Sequence, residues 1–361
     1  MYSLLRKALF ASALPEERAH DFALGVLAAA SRSASLTASL RKRCAPVALP
    51  RTLMGIEFPN PVGLAAGLDK RADACNALHA LGFGWVEVGT VTPLPQRGNP
   101  KPRLFRLAEH DALINRMGFN SNGLDSFCRN LARADASVIK GVNIGKNAAT
   151  EIAQARDDYL ACLDAVHAYA DYVAINLSSP NTRGLRALQR ADALAPLLGA
   201  LDRRRMELAE ASGRRMPLVL KIAPDLDRAA LDDIADLARA HRIDGIAATN
   251  TTAARAGVEH HPLASEAGGL SGPPLAPLAT VALAHLRRNL QGEIALIGIG
   301  GIDSPKSALA RFHAGADLVQ LYTGFIHHGP RLIGDIVARL RHESGTRTLS
   351  QWLAEVREAS A

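Results

Sequence analysis

Between Asp171 and Arg183 an apolar run, Tyr172-Val173-Ala174-Ile175, gives way to Asn176-Leu177-Ser178-Ser179-Pro180-Asn181-Thr182. A buried strand ending in two carboxamides and several hydroxyls sets directional donors and acceptors at the edge of an oily core, which suits a planar, polar small molecule. Asn, Ser and Pro also make ordinary turns for local backbone reasons, so the stretch gains meaning only if the pattern repeats. Lys221 sharpens the case, because it stands inside Leu218-Val219-Leu220-Lys221-Ile222-Ala223. An ammonium in such a run must either reach the rim or meet an anionic or strongly polar partner inside, since burying it alone is costly. Lys70 follows Gly67, a residue that lets the backbone pass close to a ligand.

These residues need elements to position them. Eight β-rich runs alternate with helix-like stretches: Val62 to Ala66, Trp85 to Val91, Val138 to Ile144, Tyr172 to Leu177, Pro217 to Ala223, Gly245 to Thr249, Ile294 to Ile299 and Asp317 to Tyr322. Asp157 to Ala170, Arg228 to Ala240 and Ser304 to His313 are among the helices between them. Eight β/α units predict an α/β fold of the (β/α)8 TIM-barrel class. The polar residues follow the strands: Gly67-Leu68-Asp69-Lys70, Gly89-Thr90, Asn143 to Asn147, the Asn176 group, Lys221, Thr249-Asn250-Thr251, Gly300-Gly301 and Tyr322-Thr323-Gly324. All eight converge on the C-terminal face, where such barrels carry their chemistry, and the glycines after strands seven and eight suit a phosphate. Residues 92–137, rich in Pro, Asn and Arg, form a long excursion expected to cover that mouth.

Composition narrows the classes. The chain has 361 residues, 48% hydrophobic and only 4% aromatic, ample material for an enzyme core. Cysteines at 44, 75, 128 and 162 contain no C-x-x-C, so neither a metal site nor a disulfide framework is expected. The absence of G-x-G-x-x-G argues against a nicotinamide Rossmann site. The net charge of +7 is uneven: residues 1–45 hold seven Lys or Arg against three Asp or Glu. An anionic surface met by the N-terminus explains this better than a nucleic-acid groove.

That segment predicts a pair of amphipathic helices joined at Pro15. Ala19, Phe22, Ala23, Val26, Leu27 and Ala30 keep helical spacing after Pro15, Glu16 and Glu17, and Leu4, Leu5, Ala8, Leu9 and Phe10 form a shorter apolar group before them. The helices either pack on the main domain or lie at a membrane interface; the flanking cations favour the interface. Ala11-Ser12-Ala13 follows too short an apolar run for a signal peptide, and no stretch approaches the roughly 20 apolar residues of a membrane span. The expected division is 1–45, a membrane and channel segment, and 46–361, the barrel.

Ala65-Ala66-Gly67-Leu68-Asp69-Lys70, Asn115-Arg116-Met117-Gly118-Phe119-Asn120, Asn176 to Thr182, Gly268-Gly269-Leu270-Ser271-Gly272 and Gly298-Ile299-Gly300-Gly301-Ile302 together resemble the dihydroorotate dehydrogenases. The likeness runs from about residue 50 to the C-terminus. Ser179 and the basic leader resemble the quinone-linked, membrane-associated class, since the soluble class has a Cys as base and lacks the leader. The resemblance implies FMN as cofactor, held by Ala66, Gly67, Leu68, Asp69, Lys70, Thr90, Asn143, Asn176, Lys221 and Thr249, with its phosphate near Gly272, Gly301, Tyr322 and Thr323. It implies dihydroorotate or orotate held by Lys70, Asn115, Arg116, Met117, Gly118, Phe119, Asn176, Asn181, Asn250 and Thr251. Ser179 would take the C5 proton, helped by Thr182 or a water, while a hydride passes from C6 to flavin N5. Lys221 near the flavin N1 and O2 would favour the anionic reduced ring.

A membrane quinone is the implied electron acceptor in pyrimidine synthesis, entering along the N-terminal helices with His20, Phe22 and Arg106 near its head group. The implied location is peripheral, on the cytoplasmic face of a bacterial inner membrane, with neither nucleic acid nor an obligate protein partner. Two other readings stay open. One is a different FMN barrel, such as an enzyme that reduces uridine in transfer RNA, although no cysteine falls at a strand end to serve as its acid. The other is a non-catalytic basic module bound to membrane or RNA.

Overall fold

A computed structural model describes residues 15–358. Eight strands, Val62–Leu64 (β1), Trp85–Val91 (β2), Lys140–Ile144 (β3), Tyr172–Asn176 (β4), Leu218–Ile222 (β5), Gly245–Ala248 (β6), Ala295–Ile299 (β7) and Leu318–Leu321 (β8), form one closed barrel in chain order. Every pairing is parallel, and Val319 opposite Val62 closes the ring. Helices on the outside and packed side chains on the inside bury the strands on both faces. That is why they read in the sequence as apolar runs and not as alternating ones. All eight expected strands are present, each within a few residues of its expected ends.

Two of the helices around the ring start where the sequence provides a side-chain cap. Asp227 accepts from Ala230 N at 2.9 Å to open Arg228–Ala240, and Ser304 and Ser307 form a reciprocal capping box at the head of Pro305–His313. Below the barrel a hairpin of Arg51–Leu53 and Ile56–Phe58 acts as a floor. Phe58 packs edge-on against Trp85, with ring centroids 4.9 Å apart. Arg51, Arg287 and Arg357 all converge on Asp317, tying floor, ring and C-terminal helix together.

The excursion after β2 does rise over the C-terminal mouth, but it carries structure that the sequence reading did not foresee. Leu104–Leu107, Ala112–Asn115 and Gly269–Ser271 make a three-stranded antiparallel sheet around Phe105, Leu107, Ile114 and Leu270.

The N-terminal pair also differs from expectation. The described helices are Glu16–Ser31 (α1) and Ala34–Cys44 (α2), joined at Arg32-Ser33, where Ser33 Oγ accepts from Leu36 N at 3.3 Å. The Leu4 to Phe10 group lies outside the described residues. Ser31 fastens the pair to the barrel, its Oγ accepting from Ala77 N at 2.9 Å and its carbonyl from Asn76 Nδ2 at 3.3 Å. α1 buries Ala19, Leu24 and Ala28, so Phe22 and Val26 face outward, 59% and 54% exposed.

Candidate active site

The barrel interior changes character from floor to mouth. Lowest is hydrocarbon, with Phe58, Trp85, Val219, Ala247, Ile297 and Leu318. Above it lies a buried polar layer centred on Glu87, which is 0% exposed. Its Oε2 accepts from Tyr172 OH and Gln320 Nε2, both at 2.8 Å; its Oε1 accepts from Asn143 Nδ2 at 2.9 Å and faces Lys221 Nζ at 3.5 Å. Burial and the adjacent carboxylate push the Tyr172 phenol well above its ordinary pKa, so it remains a donor.

Over this layer opens a cavity of about 1050 Å³, its open mouth included. Ala66 and Gly67 after β1, Thr90 in β2, Asn176, Ser179 and Asn181 in and after β4, and Lys221 in β5 line it. Thr249, Asn250 and Thr251 after β6 and Gly301, Tyr322 and Thr323 after β7 and β8 complete the ring, with Asn115, Met117, Gly118, Phe119 and Gly272 contributed by the cover. The carboxamides are interlinked. Asn176 Nδ2 donates to Asn143 Oδ1 at 2.9 Å and Thr90 Oγ1 at 3.1 Å; Asn250 Nδ2 donates to Ser178 Oγ at 2.9 Å; Asn181 Nδ2 donates to Asn115 Oδ1 at 3.2 Å. Ser179 is buried, and its Oγ accepts from Asn181 N at 3.2 Å. Nearby in the same loop, Thr182 Oγ1 is buried with no hydrogen-bond partner among the described residues.

At the opposite end the wall is backbone. Gly272 has φ +98° and Gly301 φ +67°, and a Cβ on either would come within 2.6 Å of Asp111 O or 2.5 Å of Ala276 Cβ. Only glycine fits these positions. Ser271 and Thr323 hydroxyls, 2.8 Å apart, add polar groups to the same end. Burial pushes the neighbouring Tyr322 phenol up to about 12. One end of the cavity therefore suits a phosphate, the other a carboxylate-bearing ring.

Lys70 and Met117 line this cavity and also a second, more open one, bounded by His20, Leu24, Leu68, Lys101 and Arg103. The two spaces share that wall. Burial lowers the Lys70 ammonium to about 8, and burial together with the Lys70 charge lowers His20 to about 3, leaving a neutral imidazole. Arg103 holds Glu17 from below, so the first turn of α1 is anchored where the second cavity begins.

Four of the cofactor and substrate positions expected from sequence do not face the first cavity. Asp69 turns its carboxylate back onto Arg71 N, Asp73 N and Ala74 N, closing its own loop; burial raises it to about 6. Leu68 packs toward the second cavity. Arg116 pairs with Glu266 at 2.5 Å and stacks 4.5 Å over Phe105, because its neighbours in the antiparallel sheet draw it outward. Asn143 lies one layer down and supports Thr90 and Asn176 from beneath. Of the residues expected near a quinone, His20 lines the second cavity, as does Arg103, whereas Phe22 is exposed and Arg106 lies in the cover strand Leu104–Leu107. The sequence reading missed Glu87 and Gln320, although each is a polar residue inside an apolar strand, the same signal that drew attention to Lys221.

Comparison with known proteins agrees with this geometry. The family model described as "Dihydroorotate dehydrogenase" matches residues 48–343. A protein of Flavobacterium lutescens named "Dihydroorotate dehydrogenase (quinone)" is 52% identical over 343 residues, covering 94% of this chain and 96% of its own. One of the same name from Nitrosospira multiformis is 50% identical, covering 96% and 97%. A crystal structure of DHODH from Eimeria tenella in complex with ferulenol superposes with a TM-score of 0.85 at 37% identity, over 97% of this chain and 98% of that one.

Proposed function

The chain belongs to the dihydroorotate dehydrogenase family, and from that membership we propose that it oxidises (S)-dihydroorotate to orotate on FMN and delivers the electrons to a membrane quinone, in pyrimidine synthesis. One observation carries the reading. Ser179, Lys70 and the four carboxamides of Asn115, Asn176, Asn181 and Asn250 line a single cavity whose far end is a glycine backbone cradle.

The residues present fit FMN. Gly272, Gly301 and Thr323 offer a phosphate seat that a side chain would fill, Ala66, Gly67 and Thr249 leave a flat space, and Lys221 supplies a cation at the floor. When bound, FMN supplies the acceptor for the electron pair that leaves C6 of the substrate. The chain's own residues do the rest. The carboxamides hold the urea-like and carboxylate edges, and Lys70 offsets the carboxylate charge and the negative charge that grows at C5. Ser179 receives the C5 proton, and the unpartnered hydroxyl of Thr182 stands ready to accept it onward.

Residues 1–45 are proposed as the membrane and quinone-channel segment and 46–361 as the barrel. The second cavity, with His20 and Arg103 on its wall, supports a quinone route that ends at Lys70 and Met117. The outward Phe22 and Val26, with Arg18, Arg32 and the Arg41-Lys42-Arg43 run, support peripheral attachment to an anionic surface at the cytoplasmic face of the inner membrane. Among the described residues no helix is long and apolar enough to cross a membrane.

The test is spectroscopic. The purified protein should be yellow and should bleach when dihydroorotate is added without oxygen. Colourless protein, or flavin that dihydroorotate leaves oxidised, would overturn the assignment.

A further inference from the structure

Glu87 lies outside both cavities, has no solvent exposure, and is the acid paired with Lys221 among the described residues. Four donors from four different barrel strands surround it: Lys221, Asn143, Tyr172 and Gln320. A buried carboxylate surrounded by four donors is a fixed electrostatic element, because removing any one donor leaves a buried polar group without its partner.

Its influence runs upward along the hydrogen bonds. A carboxylate can only accept, so the Asn143 amide must turn its Nδ2 down toward Glu87 and its Oδ1 up. That Oδ1 accepts from Asn176 Nδ2, which leaves Asn176 Oδ1 to receive Ser178 N at 3.3 Å and Ser178 Oγ at 3.1 Å. One acid at the floor thereby settles which way two amides point, and Asn176 is a wall of the cavity. The same acid is the counter-charge of Lys221, the cation that reaches that wall.

We propose that Glu87 is a positioning residue for the oxidation: it holds the Lys221 ammonium as half of a neutral pair and fixes the Asn143 and Asn176 amides, and so sets the reduction potential of the bound flavin. The proposal rests on the flavin reading of the cavity. A bare ammonium at the floor would favour the reduced, anionic flavin strongly. Paired with Glu87 it favours it less, leaving the electrons free to pass on to quinone.

The test uses the holoenzyme and its midpoint potential, measured against a reference dye. Glu87→Gln keeps the shape, and Gln320, whose Oε1 is buried without a partner, can turn to accept from the new amide. At a fixed dye potential the ratio of reduced to oxidised flavin should rise roughly tenfold, equivalent to about 30 mV for a two-electron couple. Tyr172→Phe removes one hydrogen bond from the same carboxylate without changing charge, and should leave the ratio near that of the parent. An unchanged or lowered ratio in FMN-replete Glu87→Gln would overturn the proposal, as would an equal shift in Tyr172→Phe. Should Glu87→Gln not fold, Lys221→Met decides: the ratio must fall by a comparable factor, and no change overturns the idea. Parent protein that holds no flavin fails the underlying reading instead, and is told apart by its lack of colour.

Discussion

Arg103 grips Glu17 with two of its nitrogens, Nε at 3.1 Å and Nη2 at 2.8 Å from Oε1, across 86 residues of chain. Both side chains are nearly sealed from solvent, and Lys101 Nζ adds a third contact at 3.2 Å. Burial alone would raise the Glu17 carboxyl, but hydrogen bonds from Arg103 and Lys101 hold it below its ordinary range. Its contribution to stability is therefore present above the unfolded carboxylate pKa and is lost as pH falls through the lower folded value. Breaking a pair of this kind costs roughly 3–5 kcal/mol. Glu17→Gln should loosen α1 and raise the quinone KM by about tenfold or more, while stopped-flow reduction of the flavin by dihydroorotate stays within about twofold of the parent. If both half-reactions fell together, the helix would not be a quinone element.

Ser179 lines the cavity, and its hydroxyl accepts from the backbone amide of Asn181 at 3.2 Å. Ser179→Ala should slow flavin reduction by dihydroorotate by roughly 10²–10⁴, and the yellow cofactor should remain bound in full. A reductive rate near the parent's would remove Ser179 from the chemistry.

The barrel was readable because parallel strands buried on both faces leave largely apolar runs, and because polar residues cluster where those runs end. Ser179, Lys70 and the carboxamides of Asn176 and Asn250 were readable for the same reason, and Lys221 because it interrupts such a run. Layering within a strand is harder to see. Asn143 and Asn176 look alike in sequence, yet one supports and the other lines the cavity, and only the register between β3 and β4 separates them. Which face of α1 packs on the barrel was not legible, because alanines stand on both sides of that helix; Leu24 turns inward and Phe22 outward. α2 carries little apolar signal, with Thr37 its buried residue, and depends on contacts with the barrel. Arg103 stands just before a cover strand and Arg106 within it; that Arg103 is the one that grips Glu17 is a long-range fact the sequence does not show.

Lys70 gives a pH dependence with a definite sign. Burial lowers its ammonium to about 8 in the free protein. Below that pH the cation is present to meet the orotate carboxylate; above it the amine is neutral. Orotate affinity, followed by perturbation of the flavin spectrum, should be level below pH 7 and weaken about tenfold per unit well above 8. Orotate should also draw a proton onto the enzyme between pH 8 and 9, measurable in a weakly buffered solution. Lys70→Met should bind weakly with a flat profile. A parent enzyme whose affinity is level up to pH 10 would show that Lys70 does not meet the carboxylate.

Arg186 links the loop after β4 to the loops after β5 and β6. Its Nε donates to Ser178 O at 3.1 Å, its Nη2 to Thr251 O at 2.9 Å, and its Nη1 to Asp225 Oδ2 at 2.7 Å. Ser178 precedes the proposed base and Thr251 lines the substrate end, so one planar guanidinium sets the spacing between them. A lysine has a single nitrogen and cannot span three acceptors in this geometry. Arg186→Lys and Arg186→Ala should therefore lower kcat/KM for dihydroorotate by about 10–100-fold through misplacement of the base, with FMN content intact. Surface exposure of the Asp225 pair keeps its own worth small, so Tm should move by no more than a few degrees, about the effect of 1 kcal/mol. Near-parent kinetics in Arg186→Lys would mean that a single charge suffices and that the three-way span is incidental.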